Sequence, residues 1–159
     1  MQLSPKAAVA LGLLLVLMGF LGIGVALRII PVDASGETPQ WVGVAAGLAF
    51  VLAGAAIIVG FAIAGGAAPD GDLPPGTPFA VRLTQYLLGL GIVGLLTAIG
   101  AWVAFGPGHR QFTITGLPVV GPRTGEALGR AAFGVGTVLS AVVFIALAVV
   151  SARRLRRPR

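Results

Sequence analysis

The sequence predicts an all-α membrane protein: a four-helix up-down transmembrane bundle with both termini in the cytoplasm and a short β-like stretch in one outer loop. Three observations predict it. Of 159 residues, 57% are hydrophobic and 10% charged, with a mean hydropathy of +1.00, whereas soluble domains carry about 25% charged residues. The apolar residues gather into four runs, 7–30, 41–64, 79–105 and 127–152, each longer than the roughly 20 residues needed to cross about 30 Å of hydrocarbon. The links between them are short, which makes neighbouring helices antiparallel. The length suits one transmembrane domain, closed by a basic tail at 153–159.

The first span opens at Ser4-Pro5, the second at Thr38-Pro39 and the third at Thr77-Pro78. In each pair the hydroxyl is suited to cap a free backbone N–H, and the proline to take the first helical position, where no N–H is needed. The fourth helix is expected from Thr124, with Glu126 in its first turn favoured by the helix dipole. Stops follow at Pro31, Gly65-Gly66 and Gly106-Pro107. A third helix from Pro78 to Phe105 would be about 42 Å long and must tilt or protrude. Lys6 and the first run resemble a secretory signal, with Val32-Asp33-Ala34 in place of a cleavage site. The run exceeds the roughly 7–15 apolar residues of a signal core, so a retained span is expected.

Orientation follows from basic residues near the span ends. Lys6, Arg82 and the five arginines of the tail share one side; Arg28, Arg110, Arg123 and Arg130 share the other. The larger set of seven belongs in the cytoplasm. Trp41 and Trp102 then both meet the outer interface, where amphipathic rings are favoured. The pI near 11.6 comes from the tail rather than from a nucleic-acid face, so no nucleic-acid partner is expected. Arg153, Arg154, Arg156 and Arg157 are candidates for anionic lipid headgroups and for topological anchoring. Ten arginines to one lysine, abundant Ala and Gly, and no Asn point to a GC-rich bacterial coding sequence, hence a bacterial inner membrane.

Small residues recur at helical spacing. Gly12, Gly19, Gly22 and Ala26 mark the first helix, Gly43, Gly47 and Gly54 the second, and Gly91, Gly94, Ala98 and Ala101 the third. Gly125, Gly129, Ala132, Gly136 and Ser140 mark the fourth. Such stripes let backbones approach closely in lipid. Gly43, Gly47, Gly125, Gly129, Gly136 and Ser140 are the candidate packing residues. Packing within the bundle is one reading; a stripe on the fourth helix that faces a partner subunit or a second copy is the other. The outer loop 106–123 is long, and Gln111-Phe112-Thr113-Ile114-Thr115 alternates as a strand does. Phe112 and Ile114 are expected against the bundle end, and with His109 and Arg110 they form a candidate partner surface.

Buried chemistry is missing from the pattern. Cysteine is absent, which excludes disulfides and thiolate chemistry. Ion or proton coupling needs an ionisable group at depth, and Arg28, Arg82 and Arg130 all sit at span ends. A single histidine, His109, cannot supply paired axial haem ligands. Asp33 with Glu37, and Asp70 with Asp72, lie in Pro- and Gly-rich turns, where caps and turn formers are common. Thr84, Gln85, Thr97, Thr137 and Ser140 are the polar residues within the spans; Gln85 is placed near the inner interface and water, and Thr97 and Thr137 at similar depth. No metal or cofactor is expected.

Ile30-Pro31-Val32-Asp33 with Trp41-Val42, Ala104-Phe105-Gly106-Pro107-Gly108 with Arg110 and Phe112, and Gly129-Arg130 with Phe133-Gly134 resemble a group of uncharacterised bacterial four-span inner-membrane proteins. The resemblance implies topology and transfers no chemistry. The function expected is that of a non-catalytic structural or accessory subunit of a larger membrane assembly. The alternative is a small transporter or channel component with a path between helices or protomers, lined by the Thr and Gln side chains. An enzyme would have to gather Asp33, Glu37, His109, Arg110 and Arg123 at the outer face.

Overall fold

A computed structural model of the chain describes residues 4–31, 38–63, 76–108 and 122–156. Four helices fill them: α1 (Pro5–Ala26), α2 (Gln40–Ile58), α3 (Phe79–Phe105) and α4 (Pro122–Arg156), with one π turn, Val59–Ile63, continuing α2. Each of the four is long and apolar enough to cross a membrane, so the chain is an all-α, four-helix, multi-pass membrane protein. Among the described residues there is no strand. The β-like stretch at 111–115 lies outside them.

Contacting residues run in opposite directions across each seam, which makes the bundle up-and-down. Gly12 meets Gly54 and Gly19 meets Gly47 between α1 and α2; Leu52 meets Gly91 between α2 and α3; Phe144 meets Gly94 and Thr137 meets Gly100 between α3 and α4. The helices pack in chain order. Among the described residues α4 touches α3 alone, and α1 touches α2 and its π turn. Burial follows: 28% of the α2 span lies inside the protein, against 6% of α3 and 6% of α4. Among the described residues the buried apolar ones are small, Ala8, Val42, Ala45, Ala49 and Ala104, and no large side chain is fully buried. Leu13, Leu17, Phe20, Val135, Val142 and Ile145 instead stand more than half exposed, as lipid-facing side chains do.

The helix ends depart from the sequence pattern in ways that local chemistry explains. The Ser4 Oγ accepts from the Ala7 N–H at 3.3 Å with Pro5 in the first turn, as expected. Pro39 and Pro78 are themselves the N-caps of α2 and α3, and no side chain caps either. Their ψ of 141° and 145° is extended, and their carbonyls accept the first helical bonds, from Val42 and Arg82. α4 begins at Pro122, before Thr124, so Glu126 lies beyond the first turn and pairs with Arg130 instead. At its far end α4 runs on to Arg156 because no breaker precedes Pro158 and arginines suit a helix C-terminus. Arg153 is therefore part of the helix rather than of a separate tail.

α1 stops at Ala26, before the expected Ile30. Arg28 takes φ +57°; its N–H donates to the Val25 carbonyl at 3.0 Å and the Ile29 N–H to the Gly24 carbonyl at 2.9 Å. This is the Schellman arrangement, which satisfies the last carbonyls of a helix. Arg28 occupies the left-handed position that glycine usually fills.

Candidate functional site

The α1/α2 seam is built on glycines seven residues apart, Gly12 and Gly19 facing Gly54 and Gly47. A heptad spacing keeps one face of each helix on its partner. A methyl at Gly19 would stand 2.5 Å from the Gly47 carbonyl oxygen, and one at Gly47 would stand 2.6 Å from the Gly19 carbonyl oxygen. A methyl at Gly54 would meet the Gly12 carbonyl oxygen closer still. Only glycine permits this approach, and it brings Cα–H groups against carbonyls, a weak but recurrent helix–helix contact. Gly43 joins the seam against Ala26. Of the candidate packing residues, Gly43 and Gly47 are thus consumed within the chain.

The α3/α4 seam uses knobs on bare backbone. The Phe144 ring covers Gly94 and the Thr137 side chain covers Gly100. Thr137 is buried, yet its hydroxyl donates to the Phe133 carbonyl one turn earlier at 2.8 Å. The Thr97 hydroxyl likewise donates to Val93 at 2.7 Å. Neither threonine bonds across the helices. Each satisfies its own hydroxyl, as polar side chains in apolar surroundings must.

The α4 stripe divides. Gly125 is buried and Gly129 half-buried. Gly136 is exposed, with nothing within 4 Å of where a methyl would stand. Of the two readings of the α4 stripe, packing inside the bundle does not hold at Gly136: buried Thr137 lies about 100° round the helix from it. Ala132, Gly136 and Ser140 instead form the α4 wall of an open groove of about 460 Å³, closed on the α3 side by Leu96 and Ile99.

At the opposite end from Pro5 and Arg153, Arg130 forms a clamp. Its Nε donates to Glu126 Oε1 at 3.1 Å and its Nη1 to the Gly106 carbonyl at 3.2 Å, while Nη2 donates to the Gly108 carbonyl. Gly106 is the C-cap of α3, so the guanidinium meets the negative end of that helix. It ties the start of the outer link to α4. Trp41 and Trp102 lie near this end in edge-to-face contact, centroids 6.0 Å apart at 84°, which joins α2 to α3. The sequence reading missed the Arg130 clamp, although the Glu126/Arg130 spacing of four residues signals an ion pair.

At the Pro5 end, Arg82 Nη2 donates to the Thr77 carbonyl at 3.3 Å. Gln85 does not simply meet water as expected: its Oε1 is buried and accepts no hydrogen bond. Arg153 is exposed; the side chains of Arg154, Arg156 and Arg157 lie outside the description. So do the partner-surface residues His109, Arg110, Phe112 and Ile114, the acids Asp33, Glu37, Asp70 and Asp72, and the side chain of Arg123. Among the described residues no three His, Cys, Asp or Glu side chains gather to hold a metal. Comparison with protein-family models, with curated proteins and with solved structures returns no match.

Proposed function

We propose that the chain is a non-catalytic membrane subunit that works through packing, and that α4 offers its Ala132/Gly136/Ser140 stripe to a neighbouring transmembrane helix in a larger assembly. One observation carries this reading. The glycines of α1, α2 and α3 at the tight seams are covered by neighbours within the chain, whereas Gly136 is open beside a groove, on a helix that among the described residues touches α3 alone. Small residues four apart are the usual contact surface for helices in lipid. Thr97 and Thr137 turn their hydroxyls back to their own helices, which disfavours the rival reading of a polar transport path between helices. The outer link, started by the Arg130 clamp, adds His109, Arg110, Phe112 and Ile114 to the contact in this reading. The arginines from Arg153 onward meet anionic headgroups. The composition supports a bacterial inner membrane with cytoplasmic termini.

Gly136→Leu tests the reading. The variant should fold with little change in thermal stability in detergent, because a methyl there meets nothing within 4 Å and the groove beside it is open. It should lose the chains that co-purify with the wild type from native membranes, while Val142→Ala, at another exposed position, should keep them. Unchanged co-purification by Gly136→Leu would mean that this face meets only lipid.

A further inference from the structure

We propose that a second groove, beside Arg130, seats one phospholipid of the surrounding bilayer, with its phosphate on the guanidinium and one acyl chain along the groove. The groove has a volume of about 510 Å³. It follows α4 from Arg130 past Gly134, Val135 and Val138 to Leu139, with Phe105 of α3 in its other wall. The two walls meet at Gly134, where a methyl would stand 3.6 Å from the Phe105 ring. Val138 lies about 160° round the helix from Gly136, so this surface is separate from the stripe offered to a neighbouring helix.

Three features select this occupant. The first is depth. The rise along α4 from Arg130 to Leu139 is about 13.5 Å, close to one leaflet's half of the roughly 30 Å of hydrocarbon. A transmembrane helix would need both halves. The second is shape. Phe105, Val135, Val138 and Leu139 each stand more than half exposed. Side chains this bulky hold another backbone away, whereas helices in lipid meet on small residues. A flexible acyl chain follows such a wall and gains its many small dispersion contacts. The third is charge. A guanidinium has five N–H donors. Among the described residues Arg130 uses three of them, Nε on Glu126 and one on each Nη on the Gly106 and Gly108 carbonyls. One N–H on each Nη remains, on a side chain that is 29% exposed. A phosphate diester at the headgroup level presents two anionic oxygens to such a pair of donors.

Native mass spectrometry of the full chain, titrated in detergent with dioleoylphosphatidylglycerol, tests this directly. The wild type should retain one such lipid. Dioleoylglycerol, with the same chains and no phosphate, should bind about tenfold more weakly, the loss expected for one hydrogen bond to a charged group. Val138→Trp fills the groove, and should weaken phosphatidylglycerol binding several-fold with the helical circular dichroism retained. Leu13→Trp should leave binding unchanged. Its site is exposed to the same degree, 58% against 59%, on a helix that among the described residues touches neither α3 nor α4. Equal binding of the two lipids overturns the proposal on the wild type alone, since the groove would then hold hydrocarbon without reading a phosphate. A wild type that takes up no phosphatidylglycerol also overturns it, the outcome if the outer link covers the groove instead. Equal effects of the two Trp variants, or none from either, place the lipid elsewhere and overturn it as well.

Discussion

Arg28 holds a conformation that L-residues avoid. Its φ of +57° puts Cβ against the following carbonyl, at a cost of about 1–2 kcal/mol. The Schellman bonds around it recover two helix carbonyls, and the guanidinium is free to reach the interface, as long basic side chains at span ends do. Arg28→Gly should therefore raise stability to unfolding in detergent by about 1 kcal/mol, and Arg28→Val should lower it. Arg130 is the converse case. Its three bonds serve one carboxylate and two carbonyls that the α3 terminus leaves open, and hydrogen bonds to charged groups are each worth about 1.5–3 kcal/mol. Because the side chain is partly exposed, Arg130→Met should cost about 2 kcal/mol in total by denaturant unfolding, near the low end of that range. Arg130→Lys should recover only part of the loss, since an ammonium cannot fork across separated acceptors. The ion pair is legible in the sequence from its spacing. The carbonyls of Gly106 and Gly108, more than twenty residues away in the chain, are not, and neither is the left-handed turn at Arg28, because the apolar pattern runs through it to Ile30 without a break.

At the scale of elements, the α1/α2 seam is the closest-packed of the described seams, and its glycines are not equivalent to the others. Gly47→Ala drives a methyl to 2.6 Å from the Gly19 carbonyl oxygen and 2.7 Å from Ile23, and overpacking of this kind costs about 1–3 kcal/mol. Gly89→Ala meets nothing within 4 Å and should be neutral or stabilising by up to about 1 kcal/mol through helix propensity. Thermal unfolding of the two variants in one detergent separates a close backbone contact from a merely apolar position. The number of helices, their approximate limits and their antiparallel order were all legible in the sequence, because hydropathy and short links are properties of single segments. Which glycine stripe serves which seam was not. Gly136 and Gly47 have the same residue type and similar neighbours in the sequence; only the rotation of each helix about its axis makes one a contact and the other a wall of an open groove. Helix rotation is set by all the neighbours at once. The π turn is invisible for a related reason, since Val59–Ile63 reads as continuous apolar helix and the widening shows only when its packing against α1 and α3 is seen.

At the scale of the molecule, four helices packed in chain order leave two edges, α1 and α4, that do not meet among the described residues. The packing also sorts the charges. Lys6 and Arg82 lie at the starts of α1 and α3 and Arg153 near the end of α4, so all three share one end of the bundle. Arg28 and Arg130 lie at the other. Arg130 is further tied to Glu126 and two carbonyls, which leaves less free positive charge at that end than the residue count implies. Retention of basic ends in the cytoplasm acts on charges close to the spans, and α4 carries its arginines as a direct continuation of the helix to Arg156. The Trp41–Trp102 pair anchors the other end, since paired indoles favour an interface without choosing a side. Only the arginines and Lys6 therefore distinguish the two sides. An alkaline phosphatase reporter, active only outside the cytoplasm, should be inactive when fused after Arg159 and active when inserted near Gly116. Replacing Arg153, Arg154, Arg156, Arg157 and Arg159 with Gln removes five of the seven charges on the proposed inner side and leaves two against four. That variant should populate both orientations, with activity appearing at the Arg159 fusion. Activity after Arg159 in the unaltered chain would reverse the topology, and an unchanged pattern in the Gln variant would show that the tail does not set it.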